Sequence, residues 1–344
     1  MKISFLPAGD ENTASSRIHV YSLHKALIKN GIDSRIGFSD DADVLFVQKK
    51  VTSDILTCIY KIKARGKIVI YDIDELGNAL DYWINPKYQK KVFELADIIT
   101  TDTIARREYI LKKWRHERIE VLPACIDYYP EAPVRLDLKD EKVIRVLWFG
   151  CMGNIALFEK YSSALVAIPN VEVIVVAGIS SLELQDLTLR YPKITFIPWE
   201  FANFISVLQS CHLTCLMHDG SQIDRTKSNN KMITSIAWGV PAMVSRTPDY
   251  ERTALESGVG YAIFDNAADI RNIIERMWSP SARNQYLDTA QKFIWNNYSP
   301  EMLQKRLLHI LSAHRIAKNG FETVIERLWF GLKAFSQHLG QGWI

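Results

Sequence analysis

The stretch VIRVLWFGCMGN, residues 143–154, decides the fold. Its first eight residues form an almost uninterrupted apolar run, the mark of a strand buried on both faces of a parallel sheet. The run ends in Gly150, a second glycine (Gly153) follows, and a helical pattern opens near Ile155. Working outward, the same strand, turn and helix pattern recurs on both sides. Upstream, the strand candidates are KISFLP, DSRIGF, DVLFVQ, KIVIYD, ADIITT and RIEVLP; downstream they are VEVIVVAG, KITFIPW, HLTCLMH, PAMVS and GYAIFD. Between the first two, RIHVYSLHKALIKNG (17–31) predicts one helix with Ile18, Tyr21, Leu23, Leu27 and Ile28 on one face and Gly31 as its stop. DYYPEAPVRLDLKDEK (127–142), with two prolines and dense charge, reads as the linker between the two halves. The fold class is therefore α/β, with two doubly wound Rossmann-like domains, 1–135 and 143–298, facing a central cleft. C-terminal helices packing back on the body fill 299–344.

Composition narrows the function. A chain of 344 residues is long enough for roughly two domains. Its 48% hydrophobic and 24% charged residues exclude a disordered, collagenous or disulfide-scaffold protein. Lys and Arg number 42 against 39 Asp and Glu, a net charge of +3, which argues against nucleic acid as a partner. Five cysteines with no zinc-like spacing point to reduced thiols and a cytoplasmic protein. CHLTCLMH places Cys211 and Cys215 on one strand face and His212 and His218 on the other, so no metal site is expected there. The apolar run Ile3–Ala8 is too short for a signal-peptide core, and nowhere do 18 apolar residues run together, so membrane contact would be peripheral. FETVIERLWFGLKAFSQHL (321–339) has two readings, a helix docked on the body or an interfacial helix whose Trp and Phe enter a headgroup layer. The basic run RREYILKKWRHER (106–118) likewise reads as a solvated face or as a docking patch for an anionic lipid-linked acceptor.

Three segments carry candidate chemistry. Gly150, Gly153 and Asn154 form a turn that lets backbone N–H groups approach a phosphate at a helix N-terminus, without the spacing of a dinucleotide fingerprint or a P-loop. DGSQIDRTKSNNKMITSIAWGVPAMVS (219–245) puts Arg225, Lys227, Lys231 and Asn230 just before a helix, a cationic setting for a diphosphate. VIYDIDE ends a buried strand with Asp72, Asp74 and Glu75, carboxylates that line a cleft, bind a ligand or, for Asp74, cap a helix. GDENTASSRIHV adds Ser16 and Arg17 at the first helix N-terminus.

The segment K-S-N-N-K-x-x-T-x-x-A-x-G-V-P, then a strand, then PDYERTALESGVGYAIFD, resembles the nucleotide-sugar segment of GT-B glycosyltransferases, especially the retaining family-four type. KISFLPA, ADIITTDT followed by RIEVLPACID, LWFG and FIWNNYSPEMLQKRLLHIL agree in order, so the resemblance covers roughly residues 1–315. It implies transfer of a sugar from a nucleotide-sugar donor to a hydroxyl of a glycan or lipid-linked glycan, in bacterial surface polysaccharide synthesis at the inner membrane face, with no cofactor and no metal. It places the donor on Gly150, Gly153, Asn154, Arg225, Lys227, Asn230, Lys231 and Thr234. The acceptor falls to Ser16, Arg17 and Glu75, and catalysis to Asp72, Asp74 and Lys231. The family's paired glutamates are replaced by Thr226 and Thr234, which leaves the ribose contact open. A nucleotide-sugar 2-epimerase and a non-catalytic GT-B subunit are the rival readings.

Overall fold

In the computed structural model, residues 1–76, 86–114, 116, 118–136 and 142–318 are described. They form two compact units, one of residues 1–127 with the chain from Pro300 onward and one of Tyr128–Ser299. The proposed interfacial helix at 321–339 lies outside the described residues.

In the first unit, β1 (Lys2–Leu6) leads into α1 (Ala14–Ser16), a π turn (Arg17–Tyr21) and α2 (Ser22–Lys29). Then follow β2 (Asp33–Ile36), β3 (Val44–Gln48), α3 (Ser53–Ala64), β4 (Ile68–Ile73), α4 (Pro86–Leu95), β5 (Ile98–Thr101), α5 (Ile104–Lys113) and β6 (Ile119–Val121). The strands pair in parallel in the order β2-β1-β3-β4-β5-β6. Every residue of β3 and β4 is buried, as their apolar sequences require. One face of the sheet is covered by α3, α4 and α5, with Leu56, Ile59, Val92 and Ile110 in that core. On the other face, Leu23 and Leu27 of α2 pack beside Leu303, Leu307, Ile310 and Leu311 of α13 (Pro300–Lys318), the last described helix. Asn30 Nδ2 donates to Gln304 Oε1 at 2.8 Å and clips α13 in place.

The helix expected over 17–31 is interrupted. The π turn inserts an extra residue into its start, and the apolar face shifts accordingly. Ile18, Val20, Leu23 and Leu27 are buried while Ile28 is 54% exposed, and Arg17 and His19 turn inward.

The second unit runs β7 (Ile144–Gly150), a 3-10 turn (Met152–Asn154), α6 (Ile155–Val166), β8 (Val171–Ala177), α7 (Ser181–Arg190), β9 (Ile194–Pro198) and α8 (Phe204–Gln209). It continues with β10 (Leu213–Leu216), a 3-10 turn (Asp224–Thr226), α9 (Asn230–Ala237), β11 (Ala242–Ser245), α10 (Pro248–Glu256), β12 (Ile263–Phe264), α11 (Ala267–Arg276) and α12 (Pro280–Tyr298). Its parallel order is β12-β11-β10-β7-β8-β9, the doubly wound order that places a switch point between β7 and β10.

Residues 128–136, read from sequence as linker, belong to this unit. The Tyr128 ring lies against Phe201 and Phe204 at 5.1 and 5.6 Å, Trp238 Nε1 donates to the Tyr128 carbonyl, and Val134 N donates to Ala237 O. The segment presses on Gly239, whose φ of +81° suits glycine and whose missing Cβ would stand 2.8 Å from the Val134 carbonyl.

The basic run after residue 105 does not form a continuous patch among the described residues. Arg106 is buried against Asp102, Arg107 Nε donates to Ile119 O at 2.7 Å, and Arg118 bonds Glu120 and the Ile310 carbonyl. Among the described residues of the run, Arg107, Lys112 and Lys113 are the exposed cations. No helix among the described residues is long and apolar enough to cross a membrane.

Candidate functional site

In an open α/β sheet, ligands bind beyond the carboxyl ends of the strands where the strand order reverses. In the second unit that place is bounded by Gly150 at the end of β7 and by Met217 to Asp219 just beyond β10. Two elements bring backbone N–H groups there: the 3-10 turn opening α6, and the N-terminus of α9.

Lys231 occupies the first turn of α9 rather than the loop before it. Its Nζ lies 5.9 Å from the centre of the Trp148 ring and 3.2 Å from where a Gly150 Cβ would stand, so a side chain at 150 would press on both the indole and the ammonium. Burial, then the nearby Lys227 charge, push this ammonium down to about 8. Lys227 Nζ reaches Asp224 at 2.7 Å and Asn154 Oδ1 at 3.3 Å, tying the loop to the 3-10 turn. Asp224 also accepts from the Asp219 N–H at 3.0 Å and sits 3.5 Å from His218 Nδ1. Burial would raise this carboxyl, but hydrogen bonds from His218 and Lys227 outweigh it and hold Asp224 well below the usual carboxylate range. His218 stacks on Tyr250 with centroids 5.3 Å apart, and burial first of all lowers its pKa, so the ring is neutral at pH 7.

The loop is anchored from behind. Asn229 N donates to Asp249 Oδ2 at 2.9 Å and Asn229 Nδ2 to Thr253 Oγ1 at 2.7 Å, while Arg252 holds the other Asp249 oxygen. Arg225 is exposed, Asn230 half-buried, and Thr226 and Thr234 are both buried. The structure thus brings Gly150, Asn154, Lys227 and Lys231 together. Gly153 is exposed on the same turn, and Arg225 stands at the loop's outer side. Asp224, His218 and Trp148 complete the cluster; His218 and Trp148 had as sequence signal a polar or aromatic side chain beside a strand's carboxyl end, whereas Asp224 lies in the 3-10 turn before α9.

In the first unit the switch point lies between β1 and β3. There Gln48 Oε1 accepts from Ala8 N at 3.1 Å and Ser16 Oγ at 2.9 Å, and Ser16 Oγ in turn accepts from Gly9 N. Arg17 is drawn into a bidentate pair with Asp127 at 2.6 and 2.8 Å and is 5% exposed, which spends the guanidinium on the fold. Asp72 is fully buried, accepting from Thr100 Oγ1 at 2.7 Å and lying 3.3 Å from His19 Nδ1. Asp74 faces Lys49 Nζ at 3.2 Å. Lys49 also donates to Ser15 Oγ at 3.0 Å and to Glu75 at 2.7 Å. Of the three carboxylates, Glu75 alone is substantially exposed, at 43% of its side chain.

These groups share one charge balance. Burial would depress His19, but the Asp72 carboxylate and then Asp74 overcome it, so the imidazolium is favoured. Burial works against the Lys49 ammonium too, and Asp74 and Glu75 more than offset it. For Asp74, burial is outweighed by Lys49, His19 and Arg106, and the carboxyl stays below its ordinary value. Among the described residues no group of three or more His, Cys, Asp or Glu side chains is arranged to hold a metal ion.

No protein-family model matches this chain, and no curated protein matches it by sequence. Solved structures do. TarM is similar over 84% of this chain at 13% identity and a TM-score of 0.59, and the match spans 57% of TarM. Anabaena Alr3699/HepE in complex with UDP aligns over 91% of this chain and 100% of its own, at 14% identity and a TM-score of 0.63. A UDP-N-acetylglucosamine 2-epimerase so described from Listeria monocytogenes covers 92% of this chain and 97% of its own at 14% identity and a TM-score of 0.55. Two six-stranded parallel sheets with flanking helices, each a doubly wound unit, give this chain the GT-B glycosyltransferase fold.

Proposed function

We propose that the protein is a glycosyltransferase that moves a sugar from a nucleoside-diphosphate donor to a hydroxyl of a glycan or lipid-linked glycan. The observation that carries this reading is the Lys231 ammonium poised over Gly150 at the switch point, next to two helix openings. When the sugar leaves, negative charge grows on the β-phosphate, and preorganised donors aimed at that charge stabilise departure. Lys231 and the N–H group of Gly153 take that role, the Asn154 N–H being held by the Cys151 carbonyl; Lys227 and Arg225 add charge, and Asn230 and Thr234 shape the first turns of α9. The HepE structure, solved with UDP, supports a nucleotide as a ligand of a protein of this fold.

The acceptor falls to the first unit, with Glu75 as the exposed carboxylate. Asp72 and Asp74 act through His19 and Lys49 rather than on substrate. Retention of configuration follows from the resemblance, as does a place in surface polysaccharide synthesis at the inner membrane face. The fold likeness to a 2-epimerase supports a second reading, in which the same site acts on the donor alone. NMR of the donor after incubation separates them: an epimerised sugar nucleotide refutes transfer.

A thermal-shift screen against UDP-, GDP-, dTDP-, ADP- and CMP-linked sugars tests the proposal. At a hundredfold excess over its dissociation constant a true donor adds about 2.7 kcal/mol of stability. No shift with any of them would refute it.

Binding should also depend on pH in a fixed direction. A diphosphate favours the charged form of Lys231, so binding takes up as much as one proton once the free lysine, at about 8, has lost its own. Affinity is expected to be flat from pH 6.5 to 7.5 and to fall by up to about tenfold per unit above pH 8. Calorimetry in two buffers of different ionisation heat checks the proton uptake.

A further inference from the structure

We infer that Lys49 is the positioning residue of the acceptor site, holding the Glu75 carboxylate where it receives a sugar hydroxyl. This rests on the transferase reading and deepens it. Three independent observations converge on Lys49. Its backbone stands at φ +32°, a region that side-chain-bearing residues rarely adopt. Glycine or asparagine would serve there at less conformational cost, so a lysine serves its ammonium rather than its backbone. Second, the side chain is 1% exposed, yet its Nζ has three partners within 3.3 Å: Asp74, Glu75 and Ser15 Oγ. Third, the residue follows β3 directly, at the β1/β3 switch point where this sheet's ligand is expected.

The arrangement is graded from inside to outside. Asp74 is buried and accepts from Gln48 Nε2 at 3.2 Å, so it fixes the ammonium from below. Lys49 N donates to the Asp72 carbonyl at 2.9 Å and its own carbonyl accepts from Tyr71 OH at 3.1 Å, which locks the backbone between β3 and β4. Glu75, with 43% of its side chain exposed, is the carboxylate partner that reaches solvent. One Glu75 oxygen lies on the ammonium at 2.7 Å, and a carboxylate offers further lone pairs for a hydroxyl donor. The ligand class is a neutral, hydroxyl-rich sugar, because the local cations are already matched by Asp72, Asp74, Asp102 and Glu75.

The test compares wild type, Glu75→Gln, Lys49→Arg, Lys49→Met and the double Lys49→Met/Glu75→Gln variant. Saturation-transfer NMR reads binding of the methyl glycosides of glucose, galactose, mannose, N-acetylglucosamine and rhamnose, and calorimetry reads nucleoside diphosphate binding. At least one glycoside is expected to bind wild type. Glu75→Gln and Lys49→Met should each weaken it tenfold or more, the double variant no further than either single, and Lys49→Arg should restore most of the loss. Nucleotide affinity should stay within twofold throughout. Should Lys49→Met not fold, the 15N resonance of the Lys49 ammonium is read in wild type, where glycoside is expected to shift it, and in Glu75→Gln, where it is not. Absence of glycoside binding, unchanged affinity in Glu75→Gln, additive losses in the double variant, or an ammonium resonance that glycoside leaves unmoved would each overturn the inference. Failure of the nucleotide to bind wild type would instead refute the transferase reading, and the glycoside data would still decide this one.

Discussion

Replacing Lys231 by alanine is expected to weaken nucleoside diphosphate binding by roughly 10- to 150-fold, the worth of about 1.5–3 kcal/mol for a charge-assisted hydrogen bond. The ammonium is half-buried beside Trp148, Gly150 and the first turn of α9, which weakens its screening by water. The same change should stabilise the empty protein slightly or leave it unchanged. Burial and Lys227 disfavour the Lys231 charge in the fold, so below pH 8, where it is protonated, removing it relieves a cost rather than losing a contact. Binding and stability thus move in opposite directions. Isothermal titration and a melting curve on one sample check both, and a large loss of melting temperature with unchanged nucleotide affinity would make Lys231 a structural residue.

Arg106→Met is expected to cost about 3–5 kcal/mol, the usual consequence of removing one partner from a buried ion pair. Arg106 and Asp102 have side chains 3% and 2% exposed, and Asp102 also lies 3.9 Å from His19 Nε2. Without the guanidinium, the Asp102 and Asp74 carboxylates keep only His19 and Lys49 as nearby cations. For a unit of this size the loss lowers the melting temperature by about 6–20 °C. The double replacement Arg106→Met/Asp102→Leu should recover much of it, since apolar residues of similar volume often replace a buried pair without loss. Urea denaturation of the two variants measures this. A drop below about 1 kcal/mol for the single change would return Arg106 to the solvated face that its neighbours in RREYILKKWRHER suggested.

Why sequence gave Arg106 that place shows where reading a chain stops. All twelve strands among the described residues were legible, the inner ones because a strand buried on both faces must be largely apolar, as β3, β4 and β7 are apart from Gln48, Asp72 and Arg145. Their order in the sheets was not, since it depends on where each crossover lands rather than on any local pattern. In the second unit the cluster was largely visible, as Lys227 and Lys231 sit within a few residues of one helix start and Gly150 ends an apolar run. In the first unit it was not. Lys49 looks like half of a surface Lys-Lys pair, and His19 like a polar break in an apolar helix; each gains its role from partners 25 to 83 residues away, Asp74 and Asp102 among them. The pairing of Arg17 was hidden for the same reason, because Asp127 is 110 residues distant. The available clue was shared with VIYDIDE: a charged residue directly following a fully apolar run, as in VLFVQK, sits at a strand's carboxyl end, where no buried charge goes unpaired.

The central claim is that the donor's diphosphate binds at the switch point of the second sheet. A crystal structure with a bound nucleoside diphosphate tests it most directly. The account predicts phosphate oxygens within about 3 Å of Lys231 Nζ and of the backbone N–H group of Gly153. A nucleotide bound elsewhere, with Lys231 still against Trp148 and no phosphate near Gly150, would contradict it.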